Sequence, residues 1–198
     1  MSILRDELLG AAPTSFRVLL PPGWRQFGVD DASRAALEAL IRDRLKPAGR
    51  PDLDAQLRSM VRRYWERLER TRAVALYLPT EPATQVPLPM SIVASKYSAA
   101  PGRSLEADLR ATVGVEVTRV ELPAGPVLRW TSTGDGADGD GGVRSVTIGP
   151  VFPVPGDDPQ HGMMLLTGIP HLADGGTDVL LEPLAFLSDA IAETFRWS

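Results

Sequence analysis

The runs Val115-Glu-Val-Thr-Arg-Val-Glu-Leu-Pro-Ala-Gly-Pro-Val-Leu-Arg-Trp-Thr-Ser-Thr133 decide the fold. Val115 to Leu122 and Val127 to Thr133 have the β-branched and aromatic content of strands. Pro123-Ala-Gly-Pro126 between them has the chemistry of a tight turn, so the stretch predicts a hairpin. Further apolar runs follow, Val143 to Val154 and Met163 to Ile169, with no helical period between them. Upstream, Val74-Ala-Leu-Tyr-Leu78 and Met90-Ser-Ile-Val-Ala-Ser-Lys-Tyr97 flank the Pro-rich connection from Pro79 to Pro89 and read as antiparallel neighbours.

Outside this block the period changes. Phe16 to Leu20 alternates as a short strand and stops at Pro21-Pro-Gly-Trp24, because proline cannot donate to a ladder. Two helices then follow. The first opens at Asp30-Asp31 and carries Leu37, Leu40, Ile41 and Leu45 at helical spacing up to Lys46-Pro47. The second starts at Pro51 and runs to about Arg72, with Leu53, Leu57, Met60, Val61, Tyr64 and Leu68 inside an arc of about 100°. Ser104 caps a short helix through Thr112. Pro183 begins a final helix in which Leu184, Leu187, Ile191 and Phe195 share a face, with Trp197 near the end. Helices segregated from runs of strands predict an α+β domain: a mostly antiparallel sheet sandwiched by helices, with two helices inserted after the first strand. Residues 15–198 are expected to form this single domain, preceded by an extension over 1–14.

With 198 residues, 43% hydrophobic and 23% charged, the chain is long enough for one self-sufficient core. No cysteine is present, which excludes thiol nucleophiles, Cys-ligated zinc and a disulfide scaffold. No run approaches the ~20 apolar residues of a membrane-spanning helix. Acidic residues interrupt the start where an export signal needs an apolar stretch, so a cytoplasmic location is the expectation. Only Lys46 and Lys96 among the 21 basic residues are lysine, a bias expected from a GC-rich bacterial genome, with selection for bidentate anion recognition by arginine as the competing reading.

The sequence shows no metalloprotease, nucleophile-elbow, phosphate-loop or dinucleotide motif, and neither a catalytic residue nor a cofactor is expected. Asp135, Asp138 and Asp140 in the loop Gly134 to Gly142 offer hard oxygen atoms, but an EF-hand register puts Val146 or Gly149 where its terminal Glu belongs, and a solvated hairpin tip explains the same residues. His161 and His171 bracket the strand from Met163 to Ile169. At about 3.3 Å per residue they lie roughly 30 Å apart, as loop residues at opposite strand ends that cannot share a metal. Asp157 and Asp158 could orient His161, but no serine at motif spacing completes a catalytic set.

Charge is more informative. The net charge is −4, against the basic excess of nucleic-acid binders. Residues 42–72, however, hold ten Lys/Arg and five Asp/Glu, net +5, leaving the remainder net −9. The pairs Asp54–Arg58 and Glu66–Arg70 at i,i+4 would neutralise part of this on a solvated face. Trp65, at the edge of the apolar arc beside Arg58 and Arg62, combines an aromatic with arginines, the composition of a protein-interface hot spot. Burial beneath the preceding helix is the competing reading of Trp65. Arg58, Arg62 and Trp65, with the adjoining sheet edge, are therefore the candidate surface for an unidentified protein partner. If it is a surface anchor, Trp65→Ala weakens partner capture with little change in melting temperature. A second candidate is a small-molecule pocket between the inserted helices and the sheet, lined by Tyr77, Met90, Tyr97 and Trp130.

The opening Phe16-x-Val18-x-Leu20-Pro21-x-Gly23-Trp24 and the closing Ala185-Phe186-Leu187-Ser188-x-x-Ile191-Ala192-x-Thr194-Phe195-Arg196-Trp197 resemble the start and final helix of PsbP-like proteins, a superfamily that includes the Ran-release factors and bacterial secretion-chaperone relatives. The two helices over about Asp30 to Arg72 depart from that pattern. The resemblance implies an antiparallel sheet sandwiched by helices and a mostly non-enzymatic, protein-binding role, with no catalytic motif to carry over.

Overall fold

The computed structural model describes residues 13, 15–46, 51–81, 88–135, 142–156, 159–176 and 178–198. The expected N-terminal extension, apart from Pro13, and Asp138, Asp140, Asp157 and Asp158 fall outside them. The elements in chain order are β1 (Phe16–Arg17), β2 (Trp24–Gly28), α1 (Asp31–Leu45), α2 (Pro51–Arg70), β3 (Ala73–Pro79), β4 (Ser91–Ser98), α3 (Leu105–Val113), β5 (Val117–Leu122), β6 (Gly125–Asp135), β7 (Val143–Pro153), β8 (His161–Leu172), a 3₁₀ turn (Asp178–Leu180), α4 (Leu181–Glu193) and β9 (Arg196–Trp197). β2 to β8 form one antiparallel sheet in the order β2-β3-β4-β8-β7-β6-β5, and β1 pairs with β9 as a separate ribbon. The α+β sandwich expected from the order of periods is the fold.

Local chemistry places the boundaries. Asp30 caps α1 by accepting from the Ser33 N–H (2.7 Å), and Ser104 caps α3 by accepting from the Ala107 N–H (3.2 Å). Gly114 ends α3 in the left-handed conformation (φ 66°), which costs glycine nothing. The predicted hairpin closes at the pair Leu122↔Gly125, leaving Pro123-Ala124 as a two-residue turn. Several boundaries differ from expectation by one to a few residues, among them the last helix, which ends at Glu193 and leaves Phe195 beyond it; three differences change the reading. Val18 to Leu20 is not strand, since only Phe16 and Arg17 find a ladder partner. Trp24–Gly28 is a strand because Pro21, Pro22 and Gly23 turn the chain onto β3 rather than ending a sheet. The run from Met163 extends in both directions, so His161 and His171 lie inside β8 at its ends, not in loops.

Strand alternation divides the core by face. On one face Ala75, Tyr77, Ile92, Ala94, Val127, Phe152, Met163 and Leu165 pack against Ile191, Ala192 and Phe195, and Ile148, Ile169 and Met90 pack against Leu184. The Thr167 and Ser188 hydroxyls bond at 2.7 Å, and Arg129 clasps Asp189 through two bonds of 2.9 and 3.1 Å, so β8 and β6 hold α4 in place. The two ends of the chain meet here: Phe195 stacks between Phe152 (3.9 Å) and Phe16 (5.5 Å), with Trp197 edge-on. On the opposite face Phe27, Leu76 and Val93 receive Leu37, Val61, Trp65 and Leu68 from α1 and α2, while Val117, Leu128, Trp130 and Val151 receive Leu105 and Leu109 from α3. Gly149 is required there, because the Trp130 indole lies against it and leaves no room for a Cβ.

Burial pushes the Tyr77 phenol up to about 12 from its ordinary 10.0. A raised folded-state pKa contributes stability that is full below pH 10 and is lost as pH rises towards 12. Alkaline denaturation monitored by circular dichroism should show stability falling between pH 10 and about 12, and Tyr77→Phe should flatten that fall.

Candidate partner-binding site

α2 presents two chemically distinct sides. Its sheet side is set by Val61, Trp65 and Leu68, all buried, with Leu57 and Tyr64 half-buried beside them. Burial raises the Tyr64 phenol's pKa, opposed by its hydrogen bond with Ser91 and by Arg67. Trp65 is 0% exposed and so is core, not a surface anchor. Met60, at the other end of the expected apolar arc, is 46% exposed. The sheet thus lies under the Trp65 end of the arc, a rotation the helical period alone does not specify. The Trp65 indole N–H has no acceptor among the described residues, so apolar contact alone holds the ring in place.

The outward side carries Arg58, Arg62, Arg63, Arg67 and Arg70, all exposed, with Glu66 and Glu69 among them. The expected Glu66–Arg70 pair does not form. Among the described residues Arg62, Arg67 and Arg70 meet no carboxylate within ion-pair distance, and Arg63 donates only to Ser59 Oγ (3.3 Å). Asp54, the expected partner of Arg58, lies in the part of α2 whose side chains are not described, and Arg58 itself is engaged. The adjoining sheet edge is β2, where Arg25 covers the face of Phe27 at 5.4 Å. Arg58 and Arg62 therefore sit where a partner could reach them, while Trp65 stands beneath them as support.

The four pocket candidates do not come together. Tyr77 and Met90 face α4 in separate clusters, and Tyr97 and Trp130 face α3 on the other side of the sheet. Tyr97 donates to Asp108 Oδ2 (2.9 Å), tying β4 to α3. Burial is the largest cause raising its pKa, with the Thr112 hydrogen bond opposing it and Asp108 adding to it. An open groove of about 580 Å³ exists elsewhere, at the hairpin end of the sheet. Pro126, Leu128 and Pro153 line its apolar part, with Arg119 beside them and with the cap Ser104 and the first residues of α3, Leu105 and Glu106, also lining it. Glu106 bridges Arg110 (2.6 Å) and Arg119 (2.7 Å) at its rim, so the groove pairs an apolar part with an internally neutralised edge. Sequence reading missed it because its residues come from four separate segments. The density of prolines at 126, 153, 155 and 159 is the one signal that marks it.

The histidines stay apart as expected. His161 Nδ1 lies 3.0 Å from Ser98 Oγ at one end of β8, and His171 is buried at the other, with Nδ1 3.5 Å from Ile169 O. Among the described residues no group of three or more His, Asp or Glu could hold a metal, and no helix is long and apolar enough to cross a membrane. Comparison with protein-family models and with curated proteins returned no match.

The burial of Trp65 reverses the expectation for its removal. Trp65→Ala should lower unfolding stability by about 3–5 kcal/mol, the range for a large aromatic removed from a core, as read by urea denaturation.

Proposed function

We propose that this chain is a non-catalytic, protein-binding domain of adaptor or chaperone-like type, whose partner docks on the outward side of α2 around Arg58 and Arg62. One observation carries the reading: among the described residues Arg62, Arg67 and Arg70 go unneutralised although Glu66 and Glu69 occupy the same helix. A folded surface usually disperses or pairs such charge, and planar guanidinium groups with spare donors suit bidentate capture of carboxylates. Glu66 and Glu69 interrupt the stripe, which favours discrete carboxylates on an acidic protein surface over a continuous phosphate backbone. Exposed charges are felt only within a Debye length of about 8 Å at physiological salt, so the stripe would steer and orient a partner that approaches closely.

The resemblance of the chain's two ends to PsbP-like proteins points the same way, towards a protein partner in a bacterial secretion or assembly system served from the cytoplasm. In the absence of Trp65 from the surface, the interface is electrostatic and polar.

The double variant Arg62→Glu, Arg67→Glu tests this reading. In crosslinking within the native host, followed by mass spectrometry, the variant should lose a defined set of partners by about tenfold or more, equivalent to 1.4 kcal/mol per decade, while its melting temperature matches wild type. Unchanged capture would contradict the reading.

A further inference from the structure

We infer that the β5 edge is a self-complementary dimer interface, on which β5 of a second copy pairs antiparallel about a two-fold axis at Val120. A two-residue hairpin closes on a hydrogen-bonded pair, here Leu122↔Gly125, and hydrogen-bonded pairs recur at every second residue of an antiparallel ladder. Val120↔Val127 and Thr118↔Arg129 are then the bonded pairs within the hairpin. The N–H and C=O groups of Val117, Arg119 and Glu121 point the other way, off the sheet. Arg110 confirms the parity, since its Nη2 reaches round the edge to donate to Val117 O (3.3 Å).

β5 is the last strand of the sheet, and no described strand pairs with the outward groups of Arg119 and Glu121. An edge of this kind is normally blunted by proline, a bulge, cover or charge. Thr118 to Leu122 carry no proline and no bulge, the β5 to β6 register is unbroken, and the edge charges Arg119 and Glu121 are of opposite sign, so they deter a generic strand more than a copy set to pair them.

Charge selects the occupant. Arg119 and Glu121 are both exposed and share the face that carries α3, opposite Leu128 and Pro126. With the two-fold axis at Val120, Arg119 of each copy stands directly opposite Glu121 of the other. Those two residues exchange both backbone hydrogen bonds, and their side chains lie on one face within cross-strand reach. Two such pairs arise by symmetry. Shifting the axis to Arg119 or to Glu121 opposes like charges at the centre, so the strand's own sequence favours one register. On the other face Val120 meets Val120 of the second copy and Thr118 meets Leu122, so half-buried apolar side chains join at the axis. Glu121 makes no ion pair among the described residues, and Arg119 gives only one Nη to Glu106, leaving further donors on its guanidinium. The contact is isologous and closes after two copies, forming one fourteen-stranded sheet from the two seven-stranded ones. It leaves the outward side of α2 uncovered and does not depend on the function proposed above.

Sedimentation equilibrium of the full chain, with hydrogen exchange read at single residues, tests the inference. The wild type should show a reversible monomer–dimer equilibrium, with the Arg119 and Glu121 amides protected at high concentration and exchanging on dilution. Arg119→Glu and Glu121→Arg should each weaken self-association more than tenfold, because each makes both cross-strand pairs like-charged. Mixed one to one, the two variants should form a heterodimer, since the two carboxylates on the edge of one then face the two guanidinium groups on the edge of the other. A wild-type chain that stays monomeric across the concentration series, a single variant that dimerises as wild type does, or folded variants whose mixture remains monomeric would each overturn it.

Discussion

The middle strands of the sheet are apolar on both sides, and the rest of the molecule answers to that. β8 turns Met163, Leu165 and Ile169 to one face and Met164 and Leu166 to the other. β4 does the same with Ile92 and Ala94 against Val93. At about 25 cal/mol per Å² of apolar surface removed from water, neither face can remain wet, so helices must cover both. α4 and the terminal ribbon cover one; α1, α2 and α3 share the other. The polar bonds on the α4 side, Thr167 with Ser188 and Arg129 with Asp189, hold a cover that apolar area has already placed.

That requirement also decides what the surface can do. Because α2 commits Trp65, Val61 and Leu68 to the sheet, its arginines are turned outward as one stripe. Because a seven-stranded open sheet has two ends, β2 and β5 become edges, and β5 is the one whose central charges alternate in a self-complementary order. The two surfaces arise from different consequences of one architecture: a helix that must bury one side, and a sheet that does not close. The groove beside Arg119 holds a charge cluster satisfied within itself, and the histidines sit at opposite ends of a twelve-residue strand.

Much of this is legible in the sequence, for reasons that can be named. The Pro123-Ala-Gly-Pro126 turn, the Ser104 and Asp30 caps and the strand runs are local chemistry, and local chemistry survives folding with little change. Trp24–Gly28 is not legible, because Pro21-Pro22-Gly23 looks alike whether it ends a sheet or turns into it. Only the pairing with β3 distinguishes the two. The side of α2 that meets the sheet is ambiguous within the apolar arc: Trp65 and Met60 mark its ends, and the larger apolar surface takes the core. The expected pocket fails through parity: Met90 and Tyr97, seven residues apart along one strand stretch, take opposite faces by alternation alone, and only the faces of Tyr77 and Trp130 depend on register. Tyr77 and Met90 lie on one side of the sheet, and Tyr97 and Trp130 on the other. The charge asymmetry of residues 42–72 is visible in the sequence, but not which members pair: Lys46 meets Asp43, while Arg62, Arg67 and Arg70 meet no carboxylate among the described residues.

The account rests on the orientation of α2 against the sheet, with Trp65 inward and arginines outward. Fluorine NMR of the 5-fluorotryptophan-labelled protein, with the Trp65 resonance assigned by Trp65→Phe, reads that orientation directly through the solvent isotope shift between H₂O and D₂O. The account predicts a Trp65 resonance with essentially no isotope shift. A shift matching that of free fluorotryptophan would place the indole in solvent and contradict it.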